Sequence, residues 1–160
     1  KVKAVRRSDK LSSDEASVKD VLINLIKNEN ISCQQTIIML YLTYPERTWE
    51  EVESILSFFN DNDAKSVLCK KEVKTHPHMC MFEAADGLRG EQVVRHNLYR
   101  RQDYPKCFEI SHYMCAIKAS EVNNLNKNLY NEDTFFYQIE DKIDIDYKKD
   151  LEAYNDKNNS

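Results

Sequence analysis

Two aspartates one residue apart, Asp144 and Asp146, with Asp150 four positions on, are the side chains of this sequence best placed for chemistry. Side chains alternate along an extended segment, so Asp144 and Asp146 point the same way while Asp150 falls on the first turn of the helix that follows. Two carboxylates projecting together from the carboxyl end of a strand suit a hard divalent ion. Magnesium takes one or two carboxylates and completes its octahedron with water and substrate phosphates. The plainer alternative makes Asp146 a helix cap. Arg100-Arg101-Gln102, with Pro105, sets guanidinium forks beside an amide, a combination that grips an anionic, hydroxylated ligand; the alternative is a solvated basic turn. Thr43-Tyr44-Pro45-Glu46-Arg47 follows an apolar run of strand length, and open α/β sheets bind ligands beyond the carboxyl ends of their strands. Arg47 is there either a ligand-facing cation or the partner of a nearby acid. In His76-Pro77-His78-Met79-Cys80 an extended backbone sets two imidazoles and a thiol on one face, donors that zinc accepts. No second ligand pair at zinc spacing accompanies them, and packed histidines are the alternative. Nothing in the sequence couples a cysteine to a base, so a Cys/His nucleophile has no support.

The elements that must position these residues are written in the apolar spacing. Val18, Val21, Leu22, Leu25 and Ile26 recur at helical intervals, predicting a helix over 13–28 capped by Ser13 or Asp14. Residues 36–42 (TIIMLYL) form an unbroken apolar run, which predicts a strand covered on both faces of a parallel sheet. After Pro45, Thr48-Trp49-Glu50-Glu51 reads as a capping box opening a helix with Val52, Ile55, Leu56 and Phe59 on its buried side. A strand is predicted over 65–70, completing helix, strand, helix, strand, the order of an α/β fold with a parallel sheet. The stretch 72–105 holds both glycines, two of the three prolines and three of the four histidines without a sustained period. It is predicted as an excursion with short strands at 73–82 and 91–98. Beyond it come a long strand over 107–118, a short helix capped by Ser120, a strand or buried turn over 134–139, a strand end at 143–146 and a helix over 148–154. The polar tail 155–160 is expected to fray.

Composition narrows the function. One domain of 160 residues, 1–154 plus the tail, accommodates these elements. With 23 basic against 27 acidic residues the net charge is −4, which argues against a general nucleic-acid binder. No apolar run approaches the length of a membrane span and no secretory leader is written, so no membrane partner and a cytoplasmic setting are expected. Two glycines, Gly87 and Gly90, leave no P-loop or dinucleotide loop within these residues. The five scattered cysteines contain no CxxC pair and are expected to be reduced, mostly buried thiols.

Taken in order, Arg7-Ser8-Asp9-Lys10-Leu11-Ser12-Ser13-Asp14 with Asp20-Val21, Leu40-Tyr41-Leu42-Thr43-Tyr44-Pro45-Glu46-Arg47, Arg100-Arg101-Gln102 and Asp144-Ile145-Asp146 resemble the acylneuraminate cytidylyltransferases. These are the CMP-sialic acid synthetases and their relatives. The resemblance spans residues 5–150 and is tightest at DIDYKKD and RRQDYP. It implies a Rossmann-like nucleotide-sugar transferase fold, mainly parallel, with helices on both faces and a small excursion, about 72–98, that makes a homodimer. It implies an enzyme that joins CTP to a sialic acid-like sugar and releases pyrophosphate with Mg2+ as cofactor. Carried over by residue, Asp144 and Asp146 hold the magnesium and serve catalysis, Asp144 or its neighbour helping to deprotonate the sugar. Arg7 and the backbone near Ala16 lie at the cytosine. Tyr41 and Arg47 line the substrate cleft, and Arg101 and Gln102 the sugar pocket.

The chain departs from the family pattern mainly on the sugar side. Tyr41 stands for a glutamine, Tyr44 and Glu46 for a serine and a leucine, and Ser111-His112-Tyr113 for Asn-Gly-Ala. The opening segment 1–7 (KVKAVRR) reads as a strand end, and the family's triphosphate-gripping loop has no counterpart here, so the 160 residues alone are expected to be inactive. Two alternatives stand beside the enzyme: a binding or assembly module that keeps the fold and dimer surface, and a nucleotidyltransferase for another acidic sugar.

Overall fold

The helix that organises the molecule begins where its sequence says. In α2 (Trp49–Asp61) the Thr48 hydroxyl accepts the Glu51 N–H at 3.3 Å, while the Glu51 carboxylate accepts the Thr48 N–H at 3.1 Å. Val52, Ile55 and Phe59 are buried along its inner side. The first helix starts later than its periodicity suggests. α1 (Val18–Asn28) is capped by Ser17, whose hydroxyl exchanges hydrogen bonds with Asp20. Ser13 instead follows a 3-10 turn, Asp9–Ser12, and, unlike Ser17, has Ala16 rather than an acid three residues on to return the cap. The computed structural model describes residues 2–13 and 15–158, and the Asp14 alternative for that cap lies outside them.

Four strands make the main sheet: β1 (Thr36–Leu40), β2 (Ser66–Glu72), β5 (Phe108–Lys118) and β6 (Phe135–Gln138), in the spatial order β1-β5-β2-β6. β6 runs parallel to β2, and β5 runs antiparallel to both β1 and β2. The expected α/β architecture therefore holds with a mixed sheet. Three strands share one direction and the fourth is inserted against them. α1 and α2 cover opposite faces. Leu22 joins Leu68, Cys115 and Ile117 on one side; Val52, Ile55 and Phe59 join Val67, Cys69 and Ala116 on the other. That alternation along β2 and β5 is the pleat at work.

The ladder breaks between Leu68 and Cys69. Leu68 pairs with Cys115, yet Cys69 pairs with Ser111, so β5 bulges through His112, Tyr113 and Met114. Tyr113 and Met114, though adjacent in sequence, consequently enter the same core beneath α2. β1 corrects a second expectation. It is an edge strand, and Ile38 and Leu40 remain 42% and 38% exposed. The reason lies in α2, whose Phe58 packs edge-on against Phe135 and Tyr137 of β6, at the far side of the sheet.

Residues 73–107 leave the sheet and return, closed at the root by Val73 N–H donating to the Cys107 carbonyl. The excursion carries a hairpin of β3 (Met81–Glu83) and β4 (Gly90–Gln92), much shorter than the strands predicted there. At its tip Gly87 takes φ +67°, a left-handed conformation that glycine enters without penalty. His76, His78 and Cys80 do not form an extended face, because Pro77–Met79 is a 3-10 turn.

The remaining differences are local. Ala119–Asn124 is a 3-10 segment without a side-chain cap, so Ser120 opens no α-helix. The asparagine-rich stretch serves that segment: Asn124 and Asn131 donate to the buried Glu121 carboxylate at 3.2 and 2.9 Å. Residues 143–146 join no ladder. α3 (Lys148–Asn158) runs into the tail that was expected to fray. Of the five thiols, only Cys69 and Cys115 are buried, and burial pushes both up to about 12.

Candidate functional site

β1, β2 and β6 end at one edge of the sheet, where β5 begins, so the segments 41–48, 73–107 and 139–147 all emerge there. Ligands of open α/β sheets bind outside this edge. Segment 143–145 is tied to the loop after β1 at two points: Ile145 N–H donates to the Thr43 carbonyl at 2.9 Å, and Ile143 N–H to Glu46 Oε2 at 3.3 Å. Between these ties sits Asp144. Its Oδ1 is buried and has no hydrogen-bond partner. The Tyr44 hydroxyl lies against its carboxylate and also 3.3 Å from Ser111 Oγ. Burial first, then the Asp144 carboxylate, pushes the Tyr44 phenol up to about 12 against the pull of Ser111.

Arg47 is inside this cluster, and its charge is spent on the fold. Its guanidinium donates to the Tyr41 carbonyl at 2.7 Å and to the Tyr113 carbonyl, and lies 4.8 Å from the Tyr113 ring centroid. The Tyr113 hydroxyl donates in turn to Glu51, which also pairs with Lys142 at 2.6 Å. Burial works against ionisation of Glu51, but Lys142, Tyr113 and the Thr48 N–H outweigh it and hold the carboxyl below its ordinary range. Glu51 thus caps α2 and ties the helix to both the bulge and the last loop. The capping role is legible from sequence. The Tyr113–Glu51–Lys142 link is not, because it depends on the bulge.

The other site candidates are spread around the edge. Arg101 lines an open cleft of about 340 Å³ with Lys74, His76, Tyr104 and Lys106, and apart from Glu72 its charged residues are cationic. Arg100 is paired with Asp103 at 2.9 Å, and Gln102 is exposed within the 3-10 turn Arg101–Asp103. Neither Asp144 nor Asp146 lines that cleft. Tyr41 is half-buried, its ring 5.3 Å from that of His112. Ala16 borders a separate cleft of about 510 Å³ against α1, together with Ser8, Lys10 and Asp20, and Arg7 stands exposed beside it in sequence. Asp146 is exposed; Asp150 caps α3 by accepting the N–H groups of Tyr147 and Asp146 at 2.8 and 3.2 Å.

Among the described residues no three His, Cys, Asp or Glu side chains converge as a metal cage. That disposes of the zinc arrangement at His76, His78 and Cys80 among those residues. Magnesium asks for less, one or two carboxylates with water and phosphate completing the shell, and the buried, unpartnered Oδ1 of Asp144 fits that demand. No described helix is long and apolar enough to cross a membrane.

No family model matches the chain, nor does any curated protein sequence. Its architecture is nonetheless similar to that of a CMP:2-keto-3-deoxy-manno-octonic acid synthetase solved in complex with CTP, with a TM-score of 0.59 and 11% identity over 91% of this chain and 69% of the other. At that identity the likeness is one of fold: the chain is an α/β domain that shares that synthetase's architecture.

Proposed function

We propose that the chain is the core of a CTP-dependent cytidylyltransferase that activates an acidic sugar as its CMP derivative. The observation that carries this is the coincidence of the Asp144-Ile145-Asp146 segment with the carboxyl edge of a sheet whose fold a CTP-bound synthetase shares. In the reaction the sugar hydroxyl oxygen bonds to the α-phosphorus of CTP, its proton passes to a nearby carboxylate, and pyrophosphate leaves with the electrons of the broken P–O bond. Asp144 and Asp146 would hold magnesium, which supplies charge neutralisation on the phosphates. Arg101, with Lys74 and Lys106 beside it, offers the cationic wall that a sugar carboxylate needs. Tyr41 against His112 presents an aromatic wall where the related motif has a glutamine, so the sugar pocket is reshaped. The acceptor is of the sialic acid or octonic acid kind. Incubating the full-length protein with CTP, magnesium and a panel of eight- and nine-carbon keto acids should release pyrophosphate. The double variant Asp144→Asn with Asp146→Asn should abolish release while the circular dichroism spectrum stays unchanged. No release with any acid would end the enzymatic reading.

The hairpin supports a homodimer. Met81, Phe82 and Leu88 are 69%, 66% and 91% exposed on a two-stranded ribbon that has too little core to stand alone. A second reading, a module that binds without turnover, is favoured by Arg47, whose guanidinium is committed to backbone carbonyls rather than to an open site. Magnesium-dependent CTP binding by calorimetry separates the two.

A further inference from the structure

The two oxygens of the Glu51 carboxylate have different partners. Oε2 accepts the Thr48 N–H at 3.1 Å and the Tyr113 hydroxyl, the contacts that begin α2 and hold the bulge of β5 to it. Oε1 lies 2.6 Å from the Nζ of Lys142, two residues before Asp144. We propose that Glu51 is a positioning residue for the Asp144-Ile145-Asp146 segment, which it reaches through Lys142. The proposal rests on the reading of Asp144 and Asp146 as the metal-holding pair and adds the group outside their segment that orients them.

Because residues 143–146 belong to no ladder, single contacts decide where they lie. Ile145 N–H donates to the Thr43 carbonyl at 2.9 Å and Ile143 N–H to Glu46 Oε2 at 3.3 Å. Both acceptors sit on the loop after β1, and two ties along one backbone leave a segment able to turn about the line between them. The Lys142 side chain adds a third tie, to a different element. That element is firmly seated, since Val52 and Ile55, beside Glu51 and one turn beyond it, are 2% and 0% exposed. The pair is sheltered too, with side-chain exposures of 16% for Lys142 and 31% for Glu51, so salt and water screen it less than an ion pair in open solvent. The neighbouring Asp141 pairs instead with Lys71 at 2.8 Å and Lys74 at 2.9 Å. Two adjacent residues of opposite charge are thus drawn to different elements, Asp141 to β2 and the root of the excursion, Lys142 to α2. A segment held in this way keeps its carboxylates in one geometry, and a displacement of about 1 Å at a reacting group can cost on the order of 100-fold in rate.

Glu51→Gln separates the two roles of this side chain. A glutamine there still closes a capping box. Its oxygen can take the Oε2 contacts, which leaves its amide facing Lys142 as donor against donor. The probe is Mn2+, its affinity for the full-length protein read by water-proton relaxation. Glu51→Gln should weaken Mn2+ binding about 10-fold, speed exchange of the Ile143 and Ile145 amides without metal, and leave the thermal midpoint near that of the parent. Lys142→Met, which does not touch the cap, should do the same and carries the test if Glu51→Gln folds poorly. Lys142→Arg, whose guanidinium can still pair with a carboxylate, should keep most of the affinity. Glu51→Gln with Lys142→Met should be no weaker than the weaker single variant, because both remove one interaction. Lys118→Met, which cuts the ion pair with Asp63 at the opposite end of β5, should bind Mn2+ as the parent does. Parental Mn2+ affinity in Lys142→Met, while Asp144→Asn with Asp146→Asn is weakened, overturns the positioning role alone, as do losses that add in the double variant of the pair. Parental affinity in the aspartate double variant removes the metal site and overturns the functional reading with it.

Discussion

Around the main sheet, neighbours in sequence are drawn to opposite helices and vanish from solvent; between residues 73 and 107 every residue keeps part of its surface in solvent. The two regions are held by different forces. In the sheet, Ile55, Val67, Leu68 and Ile117 are all 0% exposed, and transfer of apolar surface from water supplies the stability. In the excursion the contacts are rings and polar bonds. His76, His78, His96 and Tyr104 pack with centroids 4.3–5.3 Å apart, His76 Nε2 donates to the Pro105 carbonyl at 2.8 Å, and His96 Nε2 to the His78 carbonyl at 2.8 Å. The excursion therefore has a root packed by rings and polar bonds and an end left exposed to solvent.

The contrast is broken most forcefully by truncation. Ile55→Ala should cost about 2–5 kcal/mol in denaturant unfolding, whereas Phe82→Ala should stay within about 0.5 kcal/mol and show itself as a smaller dimer fraction in sedimentation. Comparable losses at both positions would erase the distinction between the regions. Arg47→Ala should come next, at about 3 kcal/mol from two charge-assisted hydrogen bonds. Arg47→Lys should not recover it, because an ammonium cannot reach both carbonyls and stack on Tyr113. The third effect is smaller and local to the arm. Burial, then His96 and His76, hold His78 below the ordinary histidine value, and its Nδ1 is buried without a partner. A depressed native pKa means that the contribution is whole above the unfolded value near 6.5 and is lost as pH falls through the lower native one. Amide exchange over 76–104 should therefore accelerate on acidification before the sheet amides respond, and His78→Gln should blunt that response. Simultaneous acceleration in both regions would show that the root is no separate unit.

Local reading succeeded only in part, for the cap of α1 lies at Ser17 rather than Ser13 and Ser120 opens no α-helix. The α2 capping box, the buried stripe of that helix, a strand within 36–42 and the irregular middle all follow from residues within a few positions of one another. The failures are equally specific. The run 36–42 is apolar enough for a buried strand, yet β1 sits at an edge because α2 leans toward β6. The long strand at 107–118 gives no sign of its antiparallel direction, since direction is set by the partners it finds. Arg47 has the composition of a ligand-facing residue, and only the bulge at 112–114, which brings the Tyr113 carbonyl and ring to it, turns it inward.

Sequence alone settled the residue types available for chemistry, the helices with matched caps and the order in which the carboxylate and guanidinium motifs occur, because these depend on covalent neighbours and on the periods of helix and strand. Tertiary structure alone decided which of those groups meet. It put Asp144 behind Tyr44 and Ser111, left Arg101 on a separate cationic cleft and spent Arg47 on the fold. The physical reason is that a hydrogen bond between residues 67 positions apart, as between Tyr44 and Ser111, exists only once strand order and a register shift have been fixed by burial elsewhere.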